Sequence, residues 1–399
     1  SAASDVYKRQ ACTFTGTGVL EAAFNTVPEG YYVYAQAGGI VGSTAEASIE
    51  SCTADFGGSL LVPKGGEATC NAGIVCGNSG SSITDCTAKF TGDASIESNG
   101  AISFGGAVGS LSGVGECAVS LVSTEMGGTV KIAQGDEYSD VHVGGVFGSA
   151  SNATASACDA LLSGDIEISS NVADGTTNVN VGGVCGKSGM LTAGCHAEWT
   201  ESAHVKIASD RSNFGGVTGL TQAESNYAFL VGCYALCKGR VEIEPKNGTD
   251  YTANAGGIAG TLANSTIAGC TVKAKNIYGH NASSPSLIGV SGIAAYVVGV
   301  SSVSDCKAYA TLIRNSTVLG TEDASVTPDN LFGMGMIVGI DAGTTTVTNC
   351  GVGGSFYLGA SEKPQELILT LDADSYAKGI IGSGKTATVG GCYYWNGEK

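Results

Sequence analysis

The chain has 399 residues, among them 62 Gly, 15 Cys and only 6 Pro, with 14% charged residues and a net charge of −17. Such a composition is too apolar for a disordered chain and too rich in Gly for long helices, and the acidic balance argues against a phosphate-backbone partner, so no nucleic acid is expected. No apolar run reaches the ~18 residues that cross a bilayer as a helix, because the most apolar stretches, 293–300 and 335–340, have the length of strands; no transmembrane segment is expected.

In chain order, residues 1–10 (SAASDVYKRQ) resemble a translated sequencing-adapter read-through and are expected to be a non-native or disordered leader. From residue 11 onward the chain repeats itself. Gly-Gly-Val/Ile-x-Gly, with Ala in one copy's third position, occurs at 38–42, 105–109, 144–148, 182–186, 215–219 and 256–260, with degenerate copies at 73–77, 291–295, 335–339 and 378–382. The starts lie 32 to 44 residues apart, and about ten copies fill the chain. A repeat of this length is one supersecondary unit that buries its apolar face only by stacking on its neighbours. Gly at a fixed station permits either positive φ or close backbone approach at a corner.

Each glycine phrase is followed, 8 to 14 residues after its last position, by one Cys: Cys52, Cys86, Cys117, Cys158, Cys195, Cys233, Cys270, Cys306, Cys350 and Cys392, with Cys12 ending an earlier partial turn. Small or apolar residues follow at alternate positions, as in Ala54 and Phe56, Ala88 and Phe90, Ala197 and Trp199. Period-two alternation marks a strand with one buried face, so the Cys points inward. A third short strand reads apolar-charged-apolar in Val130-Lys131-Ile132, Ile166-Glu167-Ile168, Val205-Lys206-Ile207 and Val241-Glu242-Ile243. The expected fold is all-β: a parallel β-helix (β-solenoid) of about ten turns with roughly three short strands per turn, forming a single domain over residues 11–399.

The motif Gly-Gly-Ile/Val-x-Gly, a spacer, then Ile-x-x-Cys-x-Ala resembles the GLUG repeat family, as in Ile49 to Ala54 and Ile83 to Ala88, with Ile267 to Val272 a variant. The ending Cys392-Tyr393-Tyr394-Trp395-Asn396 resembles the close of such arrays. The resemblance implies a β-helical array on bacterial surface or secreted proteins, used as a stalk or adhesive region. Some secreted metallopeptidases carry such repeats, but this chain has no His-Glu-x-x-His, and its turns are longer than the family's compact form.

Ten cysteines at one station are expected to stack as an inward ladder of buried thiols, since in-register Cβ atoms about 4.8 Å apart exceed the ~3.8 Å a disulfide prefers. Cys76 and Cys185 each precede a ladder Cys by ten residues, which makes Cys76–Cys86 and Cys185–Cys195 candidate bridges within a turn. Cys237 stands where other turns place Phe or Trp and is read as core filler, while Cys70 has no evident partner.

Concentrated chemistry is not legible. His142, His196, His204 and His280 are scattered and are read as surface or strand-edge residues. Residues 379–386 match the phosphate-loop pattern, but a strand rather than a helix is expected to follow, so the match is read as coincidence. Outward carboxylates (Asp55, Asp85, Glu116, Asp159, Glu198, Asp305) come one per turn, not as the close pair that glycosidase chemistry needs. The file after the ladder Cys (Thr53, Thr87, Ala118, Asp159, His196, Tyr234, Thr271, Lys307, Gly351, Tyr393) is too irregular for an ice-binding array. Five Asn-x-Ser/Thr sequons, at Asn152, Asn247, Asn264, Asn281 and Asn315, are about as many as chance gives. No catalytic, cofactor-binding or metal-binding residue is expected. The expected function is that of a non-enzymatic extracellular or cell-surface structural or adhesive protein, a rigid rod or a fibre subunit meeting itself end to end, with surface glycans or proteins as other partners. The alternative is a carbohydrate-binding or carbohydrate-active β-helix.

Overall fold

The computed structural model describes residues 8–21, 33–45, 47–62, 68–112, 117–135, 139–170, 177–222, 227–244, 252–281, 287–316, 333–359, 365–367, 379–384 and 387–398. It is a β-solenoid. The second turn shows the pattern, with Ser48–Glu50, Thr53–Phe56, Ser59–Val62, Ala68–Gly73 and Cys76–Ser79 as consecutive strands. Each pairs in parallel with its counterparts one turn before and one turn after, so the strands line up in five parallel sheets, the third of which ends at Arg240–Glu244. They are called A to E here, in the order of those five strands.

Seven successive turns, from Lys8–Gln10 to Ala259–Ala263, supply a strand to every sheet. Beyond them the B and C stations merge into the long strands Thr271–Asn281, Lys307–Ser316 and Gly351–Gly359. The solenoid is therefore as expected in class, but its turn holds five strands, not three. Two kinds of strand escaped the sequence pattern. Strands of sheet A span only two to five residues. Those of sheet D are buried on both faces, as in Ile102, Ser103 and Phe104, and burial on both faces erases alternation. Lys8–Gln10, assigned to the leader from sequence, pair in register with Ser48–Glu50; residues 1–7 lie outside the described residues.

Identical stations stack. Ala54, Ala88, Thr124, Ala160, Ala197 and Ala235 form one inward file of sheet B. Phe56, Phe90, Met126, Leu162, Trp199, Cys237 and Ala274 form the other, which confirms Cys237 as core filler. Large and small side chains compensate across the core: Trp199 meets Phe214 of sheet D with ring centroids 5.2 Å apart. Its indole N–H donates to the Gly216 carbonyl at 3.1 Å, so the buried polar atom is satisfied.

The glycine phrase makes the corner between sheets D and E. Of the two readings of its glycines, close approach is the one found. A Cβ on Gly182, the last residue of its D strand, would sit 1.9 Å from the Cys185 carbonyl oxygen; on Gly183 it would sit 2.1 Å from the Gly216 oxygen of the next turn and 2.5 Å from the Ala197 Cβ. The third residue of the phrase fills the corner from inside, with Val146, Val184, Val217, Ile258, Ile293 and Ile337 fully buried. The match to the phosphate loop resolves in the same way: Ile381–Gly384 is a strand of sheet E, while Lys385 and Thr386 lie outside the described residues.

Candidate functional site in the cysteine file and on the outer faces

The left-handed corner lies between sheets A and B. Eleven residues, one per turn, take positive φ there: Ala11, Ser51, Asp85, Leu121, Ala157, Gly194, Gly232, Gly269, Asp305, Asn349 and Gly391. Each is followed by the station expected to hold the ladder Cys. Cys52, Cys86, Cys158, Cys195, Cys233, Cys270, Cys306, Cys350 and Cys392 occupy it, as does Cys12, and from Cys12 to Cys350 their carbonyls accept the amide of the next turn, as in Cys158 O from His196 N at 2.8 Å and Cys195 O from Tyr234 N at 2.9 Å. Cys117 does not belong to the file. It opens a strand of sheet A opposite Ala153, and Val122 takes the ladder station, its carbonyl accepting from Asp159 N. The next strand of sheet B accordingly pairs Ser123, not Ala118, with Thr87. The Thr124-x-Met126 alternation, two and four residues after Val122, is the sequence signal that marks the true station.

The geometry explains why a thiol recurs. From Cys52 onward each ladder Sγ points at the carbonyl two residues earlier: Glu50 O at 3.2 Å for Cys52, Thr84 O at 3.3 Å for Cys86, Ser304 O at 3.2 Å for Cys306. Most also face a carbonyl of the preceding turn, as Cys233 does Thr192 O at 3.4 Å and Cys158 does Val119 O at 3.6 Å. A small apolar side chain with a weak S–H donor thus fills the corner and meets its exposed acceptors at once.

None of the fifteen cysteines is in a disulfide. The two candidate bridges are not formed: Cys76 heads a strand of sheet E and turns its Sγ to Asn78 O at 3.2 Å, while Cys86 sits at the A–B corner. Cys195 likewise faces Ala193 O, and Cys185 heads a strand of sheet E. Burial pushes the Cys76, Cys185 and Cys237 thiols up to about 12 and Cys86 to about 11, so these are protonated and unreactive at neutral pH.

A second file was not read from the sequence. Two residues before the first glycine of the phrase stand Asn71, Ser103, His142, Asn180, Asn213 and Asn254, stacked in sheet D and buried. His142 is therefore not a surface residue. Its Nδ1 lies 3.1 Å from Asn180 Nδ2. Asn213 Nδ2 donates to Asn180 Oδ1 at 2.8 Å, and Asn254 Nδ2 to Asn213 Oδ1 at 2.9 Å. Burial, and then Lys187 against the opposing pull of Asp140, lowers His142 to about 4, so the imidazole is neutral. The constant offset from the glycine phrase was the available signal.

The outer faces carry the charge. On sheet C, Lys131, Glu167, Lys206 and Glu242 alternate in sign along one file, and the first three border a shallow depression of about 500 Å³. On sheet B, Asp55, Lys89, Glu125, Leu161, Glu198 and Leu236 share a file, with Lys89–Glu125 at 3.2 Å. His196 sits between Asp159, at 3.5 Å, and the Tyr234 ring, at 5.0 Å between centroids. His204 faces Glu242 at 3.4 Å, and the side chain of His280 lies outside the described residues. Asp55, Asp159 and Glu198 face outward as expected, Asp85 and Asp305 sit at left-handed corners, and Glu116 lies outside the described residues. Among the described residues no three His, Cys, Asp or Glu side chains converge as a metal-binding group. No helix is long and apolar enough to cross a membrane among the described residues. No protein-family model, no curated protein and no solved structure matched this chain.

Proposed function

We propose that this chain is a non-catalytic, extracellular or surface-displayed rod of GLUG-like repeats, whose function lies in its length and outer faces. One observation carries the reading. Along sheet B one inward file stays small from turn to turn (Ala54, Ala88, Thr124, Ala160, Ala197, Ala235), while the outward file beside it changes sign and character at every turn (Asp55, Lys89, Glu125, Leu161, Glu198, Leu236). A scaffold that keeps an apolar interior while its outer residues vary suits display and contact along a stiff body. Ten rungs at about 4.8 Å give a rod on the order of 50 Å long.

Small-angle scattering and negative-stain microscopy test this reading together with surface labelling of intact producing cells. Rigid rods of that length on material accessible from outside support it. A flexible or globular particle, or a chain found only inside the cell, refutes it; threads many rod-lengths long add self-association end to end. Of the alternatives, carbohydrate binding is the one a specific observation favours, because exposed Tyr309 and Tyr393 share one face with two lysines that have no carboxylate partner among the described residues.

A further inference from the structure

We infer that the outer face of sheet B, around Trp395, is a binding site for an acidic polysaccharide. Two adjacent outward files meet there. One holds Thr271, Lys307, Gly351 and Tyr393, and the other Lys273, Tyr309 and Gly353. The two glycines leave a bare strip, and Trp395 lies across it. A Cβ on Gly351 would meet the Trp395 Cβ at 3.1 Å, and one on Gly353 would strike the Trp395 carbonyl oxygen at 1.9 Å. Trp395 N donates to Val352 O at 2.7 Å, which fixes the segment to the sheet. The indole stands edge-on to Tyr309, with centroids 6.3 Å apart and planes at 84°.

Lys273 Nζ and Lys307 Nζ, from adjacent turns, lie 5.8 Å and 5.7 Å from the centroid of this one indole. Elsewhere on or just beyond the same sheet lysines pair with carboxylates: Lys89 with Glu125, Lys238 with Glu198, Lys275 with Glu201. Lys273 and Lys307 have no such partner among the described residues. The acids nearest Lys307 and Trp395 in the chain form hydrogen bonds with asparagines: Asn349 Nδ2 donates to Asp305 Oδ1 at 3.4 Å, and Asn396 Nδ2 to Glu398 Oε2 at 3.3 Å. In a chain of net charge −17, two cations left unneutralised over one ring make a local anion site.

Beside the lysines, Tyr309 and Tyr393 are 39% and 44% exposed. Such a surface offers ring faces for the C–H face of a sugar and ammonium groups for its carboxylate or sulfate, repeated at the spacing of the rungs. A nucleic acid strand would use the same two elements, but the surrounding negative charge opposes a charge at every phosphate.

This inference is independent of the rod reading, since scattering from the free protein is unaffected by it. The test is titration of the whole chain with polygalacturonate and dextran sulfate, against a neutral galactan and oligo-dT, at low and physiological salt. At least one of the two anionic polymers binds, and which one reports carboxylate or sulfate as the preferred anion. The double variant Lys273→Ala/Lys307→Ala weakens that binding about tenfold or more, as expected for lost charge-assisted contacts. It keeps the melting temperature of the parent, and Lys131→Ala on sheet C leaves binding unchanged. The inference is overturned if neither anionic polymer binds, if binding survives in the double variant, or if the neutral galactan or oligo-dT binds as tightly.

Discussion

Replacing Gly183 with Ala tests what holds successive turns together. Gly183 has ordinary φ, so the added Cβ meets only a problem of space. It would sit 2.1 Å from the Gly216 oxygen, 2.5 Å from the Ala197 Cβ and 2.9 Å from the Trp199 Nε1. Two of these atoms belong to rigid elements, and the third is the donor of the Trp199–Gly216 hydrogen bond. Overpacking of this kind costs about 1–3 kcal/mol, and losing the bond costs about 1 more. A total of about 3 kcal/mol lowers the folding constant roughly a hundredfold. Gly194→Ala is the control. Its φ is +58° and nothing lies within 4 Å of the added Cβ, so it costs only the left-handed backbone penalty of about 1 kcal/mol. Urea unfolding followed by circular dichroism measures both, and native-state hydrogen exchange shows whether the loss is centred on the turns that meet at Gly183 and Gly216. If Gly183→Ala costs no more than Gly194→Ala, close packing at the D–E corner is not what the repeat conserves.

The buried imidazole of His142 makes stability depend on pH. Burial lowers it to about 4, against 6.5 for the ordinary group, so the unfolded chain binds the proton more tightly between those values. Its contribution is complete above about pH 6.5 and is lost as pH falls toward 4, on the order of 3 kcal/mol in all. His142→Asn, which extends the run of Asn180, Asn213 and Asn254, removes that part of the slope in a pH series of urea melts. Leu121 holds φ of +55° on an exposed side chain, and Leu121→Gly relieves that strain, raising stability by about 0.5–1 kcal/mol in a thermal melt. Cys270→Val repeats what Val122 already does at the same station and costs less than about 1.5 kcal/mol, whereas Cys270→Asp unfolds the neighbouring turns. Alkylation in denaturant without reductant adds fifteen groups by intact mass, matching fifteen unbridged cysteines; thirteen or fewer would reveal a disulfide.

The sequence alone determined the class of fold and most of the core. A repeated glycine phrase, a repeated Cys and a period-two alternation after it are local signals, and stacking turns them into continuous files. It could not reveal strands without a local signature, so the two-faced strands of sheet D and the short strands of sheet A became visible only once neighbouring turns were paired. Register was also beyond it. Cys117 has the right spacing from its glycine phrase, yet one left-handed residue, Leu121, places Val122 at the station instead. The glycines could have served positive φ or close approach, and only the distance from one turn's Cβ position to the next turn's carbonyl decides between them. The same holds for the outer face near Trp395. Lys273, Lys307, Tyr309 and Trp395 are spread over more than a hundred residues of chain, and they meet because each turn returns the backbone to the same sheet one rung further along.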